Sequence, residues 1–155
     1  NAQTNQTVEA NTVYVIPPDA YLAIENGVLE LQKPEAKRGF RKAIDHFFRS
    51  LAYDCGNRCA AIVLSGSGSD GTAGLRAVRA AGGLAVVQSP EEAEHDSMPE
   101  SALDANVADK SLAVSGMYAL LKHYAQHPEL HPARGQSQEP DGQQGLSILF
   151  TATER

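Results

Sequence analysis

The chain has 155 residues, of which 42% are hydrophobic, and a formal net charge of -6 at pH 7. A chain of this length and composition can bury one core, so we expect one domain. The acidic balance argues against binding to nucleic acid, which requires a basic surface. No apolar run approaches the roughly 20 residues that span a bilayer, so we expect no membrane insertion.

The amino-terminal segment is polar. Residues 1–11 (NAQTNQTVEAN) are expected to be disordered, and Asn1-Ala2 is interpreted as the remnant of a cleaved expression tag. The β-branched run in TVYVIPP, which follows directly, predicts a short strand that ends at Pro17-Pro18.

A β-hairpin is predicted in YLAIENGVLELQ. Asn26-Gly27 suits a two-residue type I′ turn, because both positions tolerate a positive φ. That turn fixes the register, and it places four apolar side chains on one face of the hairpin: Leu22, Ile24, Leu29 and Leu31. The other face is more polar, so the hairpin is expected to be half-buried.

The centre of the chain predicts a helix followed by a βαβ unit. FRKAIDHFFRSLAYDCG has one apolar helical face, ending before Gly56: Ile44, Phe47, Phe48 and Leu51. AAIVLS predicts a strand that is buried on both faces. A helix with Leu75, Val78 and Ala81 on one face then leads into the strand LAVVQ. Strand, helix and strand within about thirty residues indicate a parallel sheet with a right-handed crossover.

The carboxyl-terminal third predicts smaller elements. SPEEAEHDSMPESALDAN is typical of two short helical turns separated by prolines, and LAVSGMYALLKHYAQH of a strand remnant and a closing helix. Residues 128–155 are rich in Pro, Gly and Gln at their start, so we expect a disordered tail. The domain is therefore assigned to residues 12–127.

The cysteines and histidines do not predict a metal site. Cys55 and Cys59 have the spacing C-x-x-x-C, which fits neither a thioredoxin-like motif nor a four-ligand zinc site, so we expect two reduced thiols. His123 and His127 could share one face of the last helix, but no third ligand accompanies them. His46 is interpreted as a surface residue, and no metal or organic cofactor is expected.

The loop GSGSDG between the first βαβ strand and its helix allows two interpretations. Gly66, Gly68 and Gly71 spell G-x-G-x-x-G, which occurs in dinucleotide-binding loops. However, the second strand ends at Gln88 rather than at an acidic residue that would hold a ribose. Asp70 would also repel a pyrophosphate. Dinucleotide binding is therefore the weaker interpretation.

In the second interpretation the important residue of the loop is Asp70. It follows a buried strand and precedes a helix, at the edge of the sheet where α/β folds keep their sites. Such a carboxylate can orient a histidine, as the acid of a Ser-His-Asp triad does. The alternative is an N-cap, with its oxygen on the amide of Thr72 or Ala73. The pattern alone leaves both roles open.

Several segments together resemble the catalytic domain of CheB, the chemotaxis receptor methylesterase: VYVIPP, FFRSLA, VLSGSGSDGTAGLRAVRAAGG and VVQSPEEAEHDSMPESAL. The resemblance covers roughly residues 13–127 and is strongest to the CheB-like part of CheB/CheR fusion proteins. It implies a doubly wound, Rossmann-like, three-layer α/β domain. It also implies a cytoplasmic serine hydrolase of two-component signalling, which removes methyl esters from chemoreceptor glutamates and deamidates glutamines.

The resemblance also implies a site. Asp70 matches the catalytic acid of the family, and the neighbouring residues that line the site are Gly66, Ser67, Gly68, Gly71, Met98 and Pro99. Methylated chemoreceptor helices are the implied partners, with a fused or associated methyltransferase domain as a further one. The family commonly has methionine where this chain has Ser67, and His95 is not interpreted as the base.

The family's nucleophilic serine lies in an S-x-G-G turn, and this turn and the catalytic histidine precede the VYVIPP strand. No S-x-G-G occurs in this sequence. We therefore expect a domain truncated on its amino-terminal side and inactive alone, with an exposed sheet edge that favours self-association. The alternative is a non-catalytic sensory or interaction module derived from the same domain.

Overall fold

A computed structural model of the chain describes residues 1–34 and 41–127. Its strands and helices follow in this order: β1 (Gln6–Thr7), β2 (Tyr21–Glu25), β3 (Val28–Gln32), α1 (Ala43–Cys55), β4 (Ala60–Val63), α2 (Thr72–Ala80), β5 (Leu84–Gln88), α3 (Ser97–Asp104), β6 (Lys110–Leu112) and α4 (Val114–Gln126). The strands form two three-stranded sheets, in the orders β1-β3-β2 and β4-β5-β6. No helix within these ranges combines the length and the apolar character that a membrane crossing needs.

The first sheet is built around the predicted hairpin. Asn26 and Gly27 have φ angles of 51° and 72°, as a type I′ turn requires. The register is the predicted one, with Leu22 opposite Leu31. Of the four side chains predicted on the buried face, Leu22, Ile24 and Leu29 are buried, whereas Leu31 is half-buried against the same core.

The turn of the hairpin is held by α1. The carboxylate of Asp54, near the end of α1, accepts hydrogen bonds from the backbone amides of Asn26 and Gly27. The hydroxyl oxygen of Ser50 accepts a third bond, from the amide of Ile24 at 3.1 Å. Side chains of α1 therefore anchor the hairpin at its tip and along β2.

Residues 1–11 differ from the expectation of disorder. Gln6 and Thr7 pair antiparallel with β3. Ala2 is buried, and its amide donates to the carbonyl of Val15 at 2.8 Å. The polar composition of this segment is compatible with this arrangement, because an edge strand can pair through its backbone while its side chains remain in solvent.

The strand predicted in TVYVIPP is wrong: the segment forms only a single bridge, at Val15. Pro17 and Pro18 have no amide proton and therefore cannot donate to a sheet. The segment is fixed instead by Tyr14, which is buried and whose hydroxyl accepts a bond from the amide of Glu9 at 3.0 Å.

The second sheet contains the predicted βαβ unit. β4 and β5 pair in parallel with α2 between them, and β6 pairs in parallel with β5. The α/β fold class with a parallel sheet is therefore confirmed. The expectation that β4 is buried on both faces is wrong in part: Ala61 and Val63 are buried, whereas Ile62 is only half-buried and Leu64 is exposed.

The core is built where α1 packs against the hairpin and against α2, and where α2 packs against the parallel sheet. The predicted apolar face of α1 is buried, and α1 ends at Gly56, which has a φ of 55°. Leu75 and Val78 of α2 are fully buried in the same core, as predicted. The packing of α1 against α2 is close at Gly74, where an added Cβ would lie 2.6 Å from the Cβ of Phe48.

The remaining helices follow the predicted positions. A 3-10 turn at Pro90–Glu92 and α3 account for the two predicted helical turns, and β6 and α4 for the strand remnant and closing helix. α4 buries three side chains outside the main core cluster, namely Met117, Leu121 and Tyr124. The hydroxyl of Tyr124 donates to the carbonyls of Asn57 and Cys59, which fixes α4 at the start of β4. The predicted tail 128–155 lies outside the described residues.

Candidate active site

Asp70 lies in the loop that connects β4 to α2, at the carboxyl-terminal edge of the parallel sheet. Gly68 and Gly71 flank it with φ angles of 89° and 97°, a region of backbone space in which residues with a side chain are strained. These two positive φ angles turn the chain out of the strand and back into the helix. The carboxylate of Asp70 is half-buried in the turn.

The carboxylate of Asp70 binds the amino-terminus of α1. Its Oδ2 accepts a hydrogen bond from the amide of Ile44 at 3.1 Å, and its Oδ1 accepts one from the amide of Asp45 at 2.9 Å. These are the second and third residues of α1, whose amides have no partner within the helix. The alternative interpretation of Asp70 as the cap of α2 is therefore wrong in its target, because the helix that Asp70 caps is α1.

Asp45 makes the reciprocal contact. This residue is buried, and its Oδ1 accepts hydrogen bonds from the amides of Gly71 at 3.0 Å and Gly74 at 2.7 Å. Asp70, which precedes α2, thus binds amides at the amino-terminus of α1, and Asp45, which lies in α1, binds amides at the amino-terminus of α2. We call this arrangement of Asp45 and Asp70 the carboxylate clasp.

The clasp determines the electrostatics of Asp70. Burial raises the pKa of its carboxyl above the ordinary value, and the hydrogen bonds from the amides of Asp45 and Ile44 act in the opposite direction. The negative charge of Asp45 raises the pKa further, whereas the positive charge of Lys42 lowers it. Removal from solvent is the largest of these effects.

Asp70 keeps capacity for a further donor. A carboxylate offers about four lone-pair sites, and two of those on Asp70 are occupied by backbone amides. Within residues 1–34 and 41–127, no histidine donates to Asp70. Chemically, the residue is a fixed acceptor that can receive an N–H from a group outside the described part of the chain.

The loop is also held from its other side, by the segment before α3. The amide of Gly66 donates to the carbonyl of His95 at 2.8 Å, and the amide of Met98 donates to the carbonyl of Gly66 at 3.1 Å. The amide of Gly68 donates to the hydroxyl of Ser97 at 3.0 Å. The backbone carbonyl of His95 is therefore one of the groups that hold the loop.

Met98 and Pro99 are buried beneath the loop. A Cβ on Gly66 would lie only 2.5 Å from the Sδ of Met98, so this position leaves no room for a side chain as long as Met98 keeps its place. Pro99 is among the fully buried residues. Ser67 is exposed. The site residues predicted from the sequence thus lie in the loop itself or, as Met98 and Pro99 do, beneath it, and Ser67 lies on its solvent side.

Sequence reasoning missed two residues of this site. The first is Asp45. Its position could have been noticed in the sequence, because it lies three residues before Phe48 and seven before Ala52, on the apolar face of α1. Gln88 is the other: its Oε1 accepts from the amide of Ser65 at 2.8 Å, and it is buried at the end of β5. Gln88 therefore fixes the start of the loop.

The hydrogen bonds of the loop argue against dinucleotide binding. A phosphate-binding loop presents free amides to its ligand. Here the amides of Gly66, Gly68 and Gly71 all have acceptors within the protein. The two carboxylates of the clasp would in addition repel a phosphate.

The other candidate residues lie away from Asp70. Cys55 and Cys59 are free thiols, and burial raises their pKa values to about 11 and about 12. The rings of His123 and His127 lie 4.4 Å apart. In the described part of the chain, no three His, Cys, Asp or Glu side chains come together in a way that could hold a metal ion.

His46 differs from the expectation of a surface residue. Its ring stacks on Tyr21 with 4.9 Å between centroids, and its Nε2 is buried without a hydrogen-bond partner. Burial lowers its pKa, and the charge of Arg49 lowers it further. It borders a cavity of about 370 Å³ between α1 and the hairpin, lined by Ala23, Ile24, Glu25, Glu30, Gln32, His46, Arg49, Ser50 and Tyr53. None of these residues belongs to the loop of Asp70.

Comparison with known proteins identifies the family. The family model described as CheB methylesterase matches residues 1–121, which is most of the chain and includes the clasp and the whole of the loop. The chain belongs to the CheB methylesterase family. The crystal structure of the CheB methylesterase catalytic domain of Thermotoga maritima is similar, with a TM-score of 0.67 and 26% identity over 78% of this chain and 68% of that chain.

Individual relatives agree with the CheB assignment. An uncharacterised 104.1 kDa protein of Rhodobacter capsulatus is 39% identical over 90% of this chain and 14% of its own length. A putative protein-glutamate methylesterase/protein-glutamine glutaminase of Leptospira interrogans is 33% identical over 73% of this chain and 59% of its own length. A protein-glutamate methylesterase of Myxococcus xanthus is 32% identical over 79% of this chain and 37% of its own length. The chain thus spans less than two thirds of the length of each of these relatives.

Proposed function

We propose that this chain forms the part of a protein-glutamate methylesterase domain that carries the catalytic acid. The reaction is the hydrolysis of glutamate methyl esters on chemoreceptors, with deamidation of glutamines as a related activity. The observation that carries the proposal is the setting of Asp70. Both of its carboxylate oxygens are held by backbone amides, and each keeps a lone pair at the edge of the sheet.

In this mechanism Asp70 acts on a histidine. A serine hydroxyl attacks the ester carbonyl while the histidine takes its proton, and Asp70 accepts a hydrogen bond from the other nitrogen of the ring. The acyl-enzyme that forms with loss of methanol is then hydrolysed by water, with the same histidine as base. Chemistry of this class requires no metal or organic cofactor.

The rigidity of the site supports this role. An orienting acid is effective when its own position is fixed by secondary structure rather than by a mobile loop. Asp70 is fixed by amides of α1, and its loop is fixed by the segment before α3. The partly desolvated setting also strengthens its attraction for a protonated imidazole.

The serine and the histidine are proposed to come from residues outside this sequence, which contains no S-x-G-G turn. This chain alone is accordingly proposed to be inactive. The proposed partners are methylated chemoreceptor helices and a fused or associated methyltransferase domain, within a cytoplasmic two-component phosphorelay. The names of the relatives from Leptospira interrogans and Myxococcus xanthus support the substrate class.

The experiment is an assay of methanol release from methylated chemoreceptor fragments. It compares the natural protein that contains this sequence with the 155-residue chain alone. We expect release by the natural protein and none by the chain. If the natural protein contains a serine and a histidine in the family's positions and still releases no methanol, the enzyme proposal is wrong and the non-catalytic module is favoured.

A further inference from the structure

Two carboxylates lie where the amino-termini of α1 and α2 meet. Asp45 is 6% exposed, which is rare for an aspartate that is not paired with a positive charge. Its Oδ1 receives the amides of Gly71 and Gly74, and Asp70 receives those of Ile44 and Asp45. The charges are therefore stabilised by amides at two helix amino-termini, where the helix dipoles favour negative charge.

Asp45 has a separate task from Asp70. The amides of Gly71 and Gly74 belong to the first turn of α2, so they have no acceptor within that helix. A single oxygen of Asp45 satisfies both of them, at 3.0 Å and 2.7 Å. Because Gly71 directly follows Asp70, Asp45 determines where the backbone leaves the catalytic loop.

The close packing at Gly74 supports a specific arrangement. A Cβ at this position would lie 2.6 Å from the Cβ of Phe48 and 3.1 Å from the Cα of Asp45. The two helices thus approach at a residue without a side chain, and this approach lets the amide of Gly74 reach the buried carboxylate. The hydrogen bond between Gly74 and Asp45 therefore depends on the close packing of α1 against α2.

We propose that Asp45 is a positioning residue of the active site: its buried carboxylate binds the amides of Gly71 and Gly74 and so fixes Asp70 in its orientation toward the histidine. The part of the proposal that concerns the histidine rests on the proposed function. The part that concerns the loop does not, because it is carried by the hydrogen bonds of the clasp.

The experiment compares Asp45→Asn with Asp54→Asn in the chain itself. Asp54 is the matched control, because it also lies in α1 and its carboxylate also accepts hydrogen bonds from two backbone amides, those of Asn26 and Gly27 in the hairpin turn. Amide hydrogen exchange and the titration of the Asp70 carboxyl are followed by NMR. In Asp45→Asn we expect exchange of Gly71 and Gly74 to be at least about tenfold faster, because a neutral acceptor replaces a charged one.

The titration of Asp70 tests the coupling within the clasp. Asp45→Asn removes a neighbouring negative charge, so the pKa of Asp70 is expected to fall. Asp54→Asn is expected to speed exchange at Asn26 and Gly27 and to leave Gly71, Gly74 and the Asp70 titration unchanged. Unchanged exchange at Gly71 and Gly74 in Asp45→Asn, or an equal change in both variants, would overturn the proposal.

A measurement on the unsubstituted chain covers the case in which Asp45→Asn does not fold. The amides of Gly71 and Gly74 should then be protected as strongly as the amides of Ile44 and Asp45, although all four lie in first turns of helices. Rapid exchange at Gly71 and Gly74 in the folded chain would contradict the clasp.

Activity in the natural protein separates the two proposals. Asp45→Asn is expected to lower kcat at least about tenfold with little change in KM, since it disturbs orientation rather than substrate binding. Asp54→Asn should keep both constants. Loss of protection at Gly71 and Gly74 with an unchanged kcat would sink the positioning role. An inactive natural protein with an intact clasp would instead count against the proposed function alone.

Discussion

At the scale of the residue, the setting of Asp70 makes stability depend on pH. Burial raises the pKa of this carboxyl from its ordinary value of 3.8, so folding favours its protonated form. The stability that protonation contributes is complete below pH 3.8 and is lost as the pH rises through the raised pKa. Asp70→Asn cannot ionise and lacks this dependence.

We therefore predict a pH-dependent difference between the chain and its Asp70→Asn variant. The unfolding free energy of the unsubstituted chain minus that of the variant should decrease as the pH rises from below 3.8 and then level off. Urea unfolding at a series of pH values measures it. A difference that increases over this range would mean that the hydrogen bonds from α1 outweigh burial and lower the pKa.

The two glycines that flank Asp70 differ in the space around them. Both have a positive φ, but a Cβ on Gly71 would lie 2.8 Å from Cγ2 of Val63, whereas a Cβ on Gly68 would meet nothing within 4 Å. Gly68→Ala should cost about 1–2 kcal/mol for backbone strain alone. Gly71→Ala should cost about 1–3 kcal/mol more, because the core there is already filled.

Denaturant unfolding of both alanine variants measures this comparison. Equal costs for Gly68→Ala and Gly71→Ala would mean that the loop does not pack against β4 and α1 as described. A larger cost for Gly68→Ala would contradict the assignment of Gly71 to the buried side of the loop.

At the scale of the element, the hairpin has one buried and one open face. Leu29 is fully buried, and its neighbour Val28 on the other face is not. Leu29→Ala should destabilise the chain by about 2–5 kcal/mol, because it leaves a cavity in the core. Val28→Ala should cost less than about 1 kcal/mol. Thermal unfolding that shows similar losses for the two variants would contradict the register of the hairpin.

The hydroxyl of Tyr124 contributes to the docking of α4, beside the buried side chains of Met117 and Leu121. Tyr124 donates to the carbonyls of Asn57 at 2.6 Å and Cys59 at 3.2 Å. Tyr124→Phe should cost about 0.5–1.5 kcal/mol, because the hydroxyl proton that these two carbonyls share is removed. Tyr118→Phe is the matched control, since Tyr118 lies on the same helix and is 74% exposed. Equal unfolding midpoints for the two variants would show that the hydroxyl of Tyr124 does not fasten α4.

Elements with strong local signals were predictable from the sequence. The Asn26-Gly27 turn, the apolar face of α1 and the βαβ pattern are each determined by residues that are close in the chain. The pairing of Gln6–Thr7 with β3 was not predictable, because an edge strand needs no alternation of apolar residues. The prediction of a strand in TVYVIPP was wrong for a related reason, since β-branched residues predict an extended backbone but not a pairing partner.

The candidate site was predictable only in part for the same physical reason. Asp70 stands out because glycines surround it, but its contacts with Ile44 and Asp45 join positions about 25 residues apart. No local pattern reports such a contact. A polar residue on the apolar face of a predicted helix, as Asp45 is, is the signal that would have pointed to the clasp.

At the scale of the whole molecule, the described sheet has an open edge at β4. β5 is the only strand that pairs with β4 in the described ranges, and Ile62 of β4 is half-buried. We propose that copies of the chain associate through this edge. Light scattering over a concentration series should show a rising mass, and Ile62→Lys should reduce it. A constant monomer mass at all concentrations would contradict the proposal.

The central claim is that Asp70 is the acid that orients a histidine in a methylesterase of the CheB family. Steady-state methanol release by the natural protein and by its Asp70→Asn variant tests it most directly, with Asp54→Asn as the control. We predict a fall in kcat of about a thousandfold or more for Asp70→Asn, with KM changed only slightly, because the neutral amide cannot hold the imidazole in its required tautomer. A kcat within about threefold of the unsubstituted protein would contradict the claim.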